Sequence, residues 1–166
     1  MKKSYFVFFL VLITGLAVSS CGYYSFKGAL PSYVKAVAVP LFDDRTAYPG
    51  VREKMTNRLI EAFTTDNTLK VVDETQADLI ISGAITSINQ KAATVAAGET
   101  VTDYQIYVNV KVKCEDIKQS KVMYDKTVSH YGLMESSGGQ DERDQAIDDA
   151  IQQITEDILN LTLASW

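Results

Sequence analysis

Tyr104-Gln105-Ile106-Tyr107-Val108-Asn109-Val110-Lys111-Val112-Lys113-Cys114-Glu115 alternates in character from end to end. Its even-numbered positions are apolar or aromatic, and its odd-numbered positions carry amides, a hydroxyl and charges. Successive side chains of a strand point to opposite faces, so this stretch is a strand with one dry face and one polar face. A sheet buried on one side needs a second layer to cover that side. The flanking sequence supplies it. Asp116–Ser120 is a polar turn, and Val122–Tyr131 returns as another strand. Ser136-Ser137-Gly138-Gly139 breaks the chain. Beyond it Ile147, Ile151, Ile154, Ile158 and Leu161 recur at intervals of 4, 3, 4 and 3, the stripe of an amphipathic helix. Asp141, Glu142, Asp144, Asp148, Asp149, Glu156 and Asp157 give that helix its wet side, and the acids of its first turns suit the helix dipole.

Reading the other way, the small-residue stretch Ala92–Gly98 is expected to be a mobile loop. Ala77–Ile88 reads as a strand in which Gly83 marks a bulge or close packing, and Leu69–Val72 as either its beginning or its neighbour. Val34–Val39 is a short strand stopped by Pro40, and Phe42–Thr46 is read as loop. Pro49 fits a first helical turn, and Met55, Leu59, Ala62 and Phe63 follow at helical spacing until about Asp66-Asn67. The expected fold is α+β: a two-layer sandwich with a mixed sheet of about four strands and two helices on one face, in the order β-α-β-β-β-α. Ile106, Val108, Val110, Val112 and Cys114 should face the helices, with Ile147, Ile151, Ile154 and Ile158 opposite.

The amino terminus carries a different signal. Lys2 and Lys3 precede an almost wholly apolar run, Tyr5–Val18, which ends in Ser19-Ser20-Cys21. Spanning a bilayer takes roughly 20 apolar residues, and this run is too short, but it matches the apolar region of a secretory leader. Val18-Ser19-Ser20-Cys21 resembles the lipobox of bacterial lipoproteins, which implies cleavage after residue 20 and lipid on Cys21. Residues 1–20 are therefore expected to be a lipoprotein signal peptide, and residues 21–166 a single domain. Without its leader the chain loses two lysines, so its formal charge falls from −5 to −7. That balance is poorly suited to nucleic acid or to passive adhesion on an anionic surface. Cys114 is then the remaining thiol, expected to be a small buried hydrophobe. Tyr23, Tyr24 and Phe26 either rest at the bilayer interface or pack on the domain.

Reactive chemistry is sparse. His130 has no nucleophile motif around it, and a structural or solvated role is expected. No Gly-x-Ser-x-Gly, His-x-x-Glu-His or phosphate-loop pattern occurs. Asp43-Asp44 lacks the alternating oxygen ligands of a calcium loop, which leaves a solvated or turn-capping pair. No enzyme, cofactor or metal site is expected.

Cys21-Gly22-Tyr23-Tyr24-Ser25-Phe26, then Gly28 and Leu30-Pro31, resembles the start of mature LPS-assembly lipoproteins of the LptE family. Val37-Ala38-Val39-Pro40, Phe42, Thr46 and Pro49-Gly50 are similar to that family's first strand and helix entry, although Asp44 stands where an asparagine is expected. Ala77-Asp78-Leu79-Ile80-Ile81, with Gly83 and Ile85, is similar to its second strand, and Tyr104–Val112 to its third. The resemblance implies a non-enzymatic plug of the LPS-translocon β-barrel LptD, assisting its assembly and contacting LPS. With a charge of −7, barrel plugging weighs above direct LPS recognition. Gly22 offers no aspartate-type retention signal, so the resemblance implies lipid-anchored residence at the periplasmic face of the outer membrane. The alternative is an accessory, a pilot or assembly factor, of another envelope secretion machine. Tyr107, Lys111 and Lys113 are the candidate contacts for barrel or LPS; the other reading of their face is simply the wet side of a half-exposed sheet.

Overall fold

A computed structural model describes residues 30–96 and 100–164. The leader, Cys21, Tyr23, Tyr24 and Phe26 lie outside the described residues. The chain forms β1 (Ala36–Ala38), β2 (Asp43–Asp44), α1 (Val51–Asp66), β3 (Lys70–Val71), a 3₁₀ turn (Glu74–Gln76), β4 (Leu79–Ala96), β5 (Thr100–Asp116), β6 (Lys121–Glu135) and α2 (Gln140–Ala164). All six strands join one mixed sheet in the order β3-β1-β4-β5-β6, with β2 also paired to β4. The β1–β3, β1–β4 and β2–β4 ladders are parallel, and β4–β5 and β5–β6 are antiparallel.

The α+β sandwich is as expected, with six strands rather than about four. Leu69–Val72 and Ala77–Ile88 belong to separate strands, because β1 inserts between them: Ala36 pairs with Lys70 while Val37 pairs with Leu79. Asp43 and Asp44, read as loop, form a two-residue strand against Ala84 and Ile85. The loop reading is also corrected over Ala92–Ala96, while residues 97 and 98 lie outside the described residues. The backbone stays in the β4–β5 ladder to Ala96, which pairs with Thr100, and register shifts near Ala92, Thr94 and Val95 absorb the irregularity. Pro49 lies just outside α1, which starts after Gly50 in the left-handed region at φ 76°. Asn67 ends the same helix at φ 55°, its N–H reaching the Phe63 carbonyl at 3.1 Å.

Ile106, Val108, Val110, Val112 and Cys114 are all buried, and so are Ile147, Ile151, Ile154 and Ile158 of α2. Met55, Leu59 and Phe63 bring α1 into the same core. The stripe of α2 departs from expectation at its end, where Thr162 is buried and Leu161 only partly so. A step of four from Ile158 keeps closer to the 3.6-residue period, and it delivers the Thr162 hydroxyl to Tyr124 Oη at 2.7 Å. Gly83 is a close-packing glycine: a Cβ there would lie 2.4 Å from the Phe42 ring.

Asp78 ties the parallel strands together. Its Oδ2 accepts the N–H groups of Lys35 and Ala36 at 2.8 and 3.0 Å, and its Oδ1 meets Lys118 Nζ at 2.6 Å. The Lys118 ammonium holds this carboxyl below the usual carboxylate range against the opposing effect of burial, with help from the two backbone donors. A depressed native pKa contributes stability that is fully present above the unfolded value of about 3.9 and is lost as pH falls through the lower native value. Asp78→Asn should therefore lower stability at neutral pH and flatten its decline in acid. Urea unfolding of both proteins between neutral pH and about pH 3 checks this, and parallel acid limbs would refute it.

Candidate functional site

The helices cover one face of the sheet and leave the other bare. Gln105, Tyr107, Asn109, Lys111 and Lys113 point to that bare face from β5, because the buried alternate positions fix the pleat. The antiparallel register sets Tyr107 between Asn89 of β4 and Tyr131 of β6. The two tyrosine rings lie 5.1 Å apart at 42°, a tilted aromatic pair. Lys91 Nζ stands 4.4 Å from the centre of the Tyr107 ring, within cation–π range. Tyr107 Oη donates to Gln105 at 3.0 Å, and Asn109 Nδ2 donates to Ser87 Oγ at 3.0 Å. Leu133, 63% exposed, continues the apolar part of this patch on β6.

Lower on the same face, Lys111 pairs with Asp125 at 3.3 Å and Lys113 with Glu115 at 2.7 Å. Lys111 is exposed and Lys113 partly so. They edge a shallow trough of about 180 Å³ floored by Ser82, Gly83 and Ala84 and closed by Asp43 and Asp125. The structure thus brings Tyr107, Lys111 and Lys113 onto one surface, with the tyrosine in an aromatic patch and the two lysines beside a separate trough. Each lysine already has a carboxylate partner, so the face is a hydrogen-bonding surface more than a bare anion site.

Tyr131 and Lys91 were not among the residues singled out from the sequence. Period-two patterning places Tyr131 on a strand but does not say which β5 residue it opposes. A register shift between Cys114 and Glu115 moves the β5–β6 pairing by one position, and that shift decides that Tyr131 meets Tyr107.

The remaining reactive side chains are held structurally. His130 Nε2 lies 2.7 Å from Asp157 Oδ2, tying β6 to α2. Cys114 is buried, and burial pushes its thiol up to about 12, far from a reactive thiolate. Asp44 accepts the Thr46 N–H at 2.7 Å, the capping role. Asp148 pairs with Lys54, so it bridges the two helices instead of serving only as wet surface. Among the described residues no group of three or more His, Cys, Asp and Glu is placed to hold a metal ion, and no helix is long and apolar enough to cross a membrane.

The model of the lipopolysaccharide-assembly family LptE matches residues 34–162, from the approach to β1 into the last turn of α2. The chain belongs to the LptE family. Solved structures share the LptE-like fold at low identity. Lipoprotein B from Nitrosomonas europaea is 14% identical with a TM-score of 0.58, over 86% of this chain and 92% of its own. A PelC dodecamer from Paraburkholderia phytofirmans is 17% identical with a TM-score of 0.54, over 83% and 93%. A minor lipoprotein from Acinetobacter baumannii is 13% identical with a TM-score of 0.50, over 81% and 94%. No curated protein matches the chain significantly. Within the LptE family frame, the aromatic patch and the lysine trough both lie on the face that α1 and α2 leave uncovered.

Proposed function

We propose that this LptE-family chain is a non-enzymatic outer-membrane lipoprotein, anchored through Cys21, that plugs the barrel LptD and assists its assembly and LPS insertion. The observation that carries this reading is the bare sheet face, polar along β5 and studded with Tyr107 and Tyr131. A plug must offer hydrogen-bonding groups to the polar interior of a barrel. Tyrosines are enriched where proteins meet because they supply contact area at low entropic cost. The ion pairs of Lys111 and Lys113 favour contact with a polar wall over capture of an unpaired anion, so barrel contact takes precedence over direct LPS binding.

Photocrosslinking in living cells tests the reading. A crosslinking residue at Tyr107, Lys111 or Lys113 should trap the barrel subunit or LPS, whereas one at the exposed Gln145 of α2 should trap far less. Adducts only from the helical side, or a secretion-ring subunit as the main adduct, would overturn it.

A further inference from the structure

The two helices run side by side in the same direction, joined near their starts by the Lys54–Asp148 pair. Toward their carboxyl ends they part around a groove of about 390 Å³. Ala62, Thr155 and Leu159 lie lowest in it, and exposed Arg58, Glu61, Asp66 and Glu156 rim it. Thr155 is the anomaly. Thr56, Thr64 and Thr162, on the same helices, donate their hydroxyls to the carbonyl four residues back at 2.7–2.8 Å. Thr155 does not, although it is only 4% exposed. Among the described residues its hydroxyl is the one buried side-chain polar atom with no hydrogen-bond partner. Such a group calls for a partner, and this one lines the groove.

The rim says what chemistry fits. Arg58 pairs with Glu61 at 3.3 Å, while Asp66 and Glu156 have no ion pair among the described residues. Neither helix carries a basic residue in its last turn, where the dipole favours a cation. The groove therefore suits an apolar segment that brings a hydroxyl and a positive charge. Residues 21–29, Cys-Gly-Tyr-Tyr-Ser-Phe-Lys-Gly-Ala, hold three aromatics and one cation and no acid. They precede Leu30, which packs against the core, and the chain then enters at the same end as the groove. There the Lys70 N–H, just past α1, donates to the Lys35 carbonyl at 2.9 Å. Tyr33 is held by Asp116 at the end of β5, beside the Tyr124 that bonds Thr162 of α2.

We propose that residues 21–29 fold back into this groove, with Tyr24 Oη bonded to the Thr155 hydroxyl, Phe26 against Ala62 and Leu159, and Lys27 beside Asp66. The spacing agrees. From Thr155 to Leu159 the helix rises about 6 Å, and two extended residues, the step from Tyr24 to Phe26, cover about as much. The order agrees too, since a chain backing in from Leu30 passes Asp66 first and Thr155 last. Being part of the same molecule, the segment acts at high effective concentration. The docked segment would bring the lipid off the helical layer, leaving the bare face of the sheet clear. From the proposed function the inference takes only that the mature chain begins at acylated Cys21.

The test uses the purified mature lipoprotein in detergent micelles, with no barrel present. A nitroxide is attached at Ser25→Cys, which keeps Tyr24, Phe26 and Lys27; buried Cys114 stays unlabelled. The amide signals of Ala62, Thr155 and Leu159 should weaken several-fold more than that of Val122, which lies at the same end but in the exposed edge strand. Equal weakening overturns the docking. So does weakening that appears when a labelled chain is mixed with an isotope-enriched unlabelled one, because a second copy then fills the groove. Thr155→Val gives an independent reading. It should lower the urea midpoint of the parent and leave that of Tyr24→Phe unchanged, because the bonded hydroxyl is lost only once. A midpoint that rises on Thr155→Val, or falls equally in both backgrounds, overturns the contact. A mature mass lacking acyl chains would fail the anchor reading alone, and the nitroxide would still decide the docking.

Discussion

Gly132→Ala is expected to destabilise the protein by about 3 kcal/mol or more, the upper range for overpacking a close-packed site. A Cβ built on Gly132 would lie 2.1 Å from the Ala146 carbonyl oxygen and 2.6 Å from the carbonyl carbon and Cα of the same residue. These are backbone atoms, so no rotamer change relieves the clash. Either α2 lifts from β6 or β6 bends away. Lifting α2 withdraws Ala146, Ile147, Ala150 and Ile151 from the core, since all four are buried within two turns of the contact. Gly139→Ala is the control, because nothing lies within 4 Å of its Cβ position. Urea unfolding of both variants checks the expectation. A Gly132→Ala protein within about 0.5 kcal/mol of the parent would show that α2 does not sit on β6 in this way.

Cys21→Ser is expected to abolish palmitate incorporation and leave an unprocessed precursor. Thioether formation needs a thiolate nucleophile, which cysteine, with a pKa of about 8.5, supplies readily and a serine hydroxyl does not. Without acyl chains the protein loses about 0.8 kcal/mol of membrane attraction for every CH₂ that would have been buried. Labelled palmitate and the mobility of the precursor on a gel report the outcome directly. Normal processing together with normal labelling of the serine variant would end the anchor reading. Gly22 adds a second expectation, that the parent protein fractionates with the outer membrane.

The parts of the fold legible in the sequence are those whose signal is local and repeated. β5 alternates over its middle, and α2 repeats its isoleucines, so both elements and their buried faces follow from period alone. The parts that were not legible are set by distant partners. Asp43 and Asp44 have no strand propensity; they become β2 because β4 offers an open edge and Phe42 is anchored by its N–H on Thr56 Oγ1 at 3.0 Å. The alanines of Ala92–Ala96 look like a loop, yet pairing with β5 overrides their weak preference. The candidate face was half visible. Its composition could be read from Gln105 to Lys113, while the Tyr107–Tyr131 pair depended on one register shift. The carboxylate partners of Lys111 and Lys113 were likewise hidden: Asp125 lies on the neighbouring strand, and nothing in the alternation distinguishes Glu115 as a pair from Glu115 as solvated charge.

The placement of β1 also fixes how the molecule bears load. Any tension on the amino-terminal side enters the described residues at Leu30, which packs against the core, and passes Tyr33 to β1, which has three residues and lies between two parallel neighbours. Before that strand can peel, the pull must break the Tyr33–Asp116 hydrogen bond and the grip of the Asp78 carboxylate on the Lys35 and Ala36 amides. Asp78 passes the strain to Lys118 and to the start of β4, which is hydrogen-bonded along its length to β5. The clamp therefore acts as a strain relief between tether and sheet. A protein hauled through the envelope by its lipid would yield first at this joint, with the β4–β5–β6 meander and the face it displays still intact.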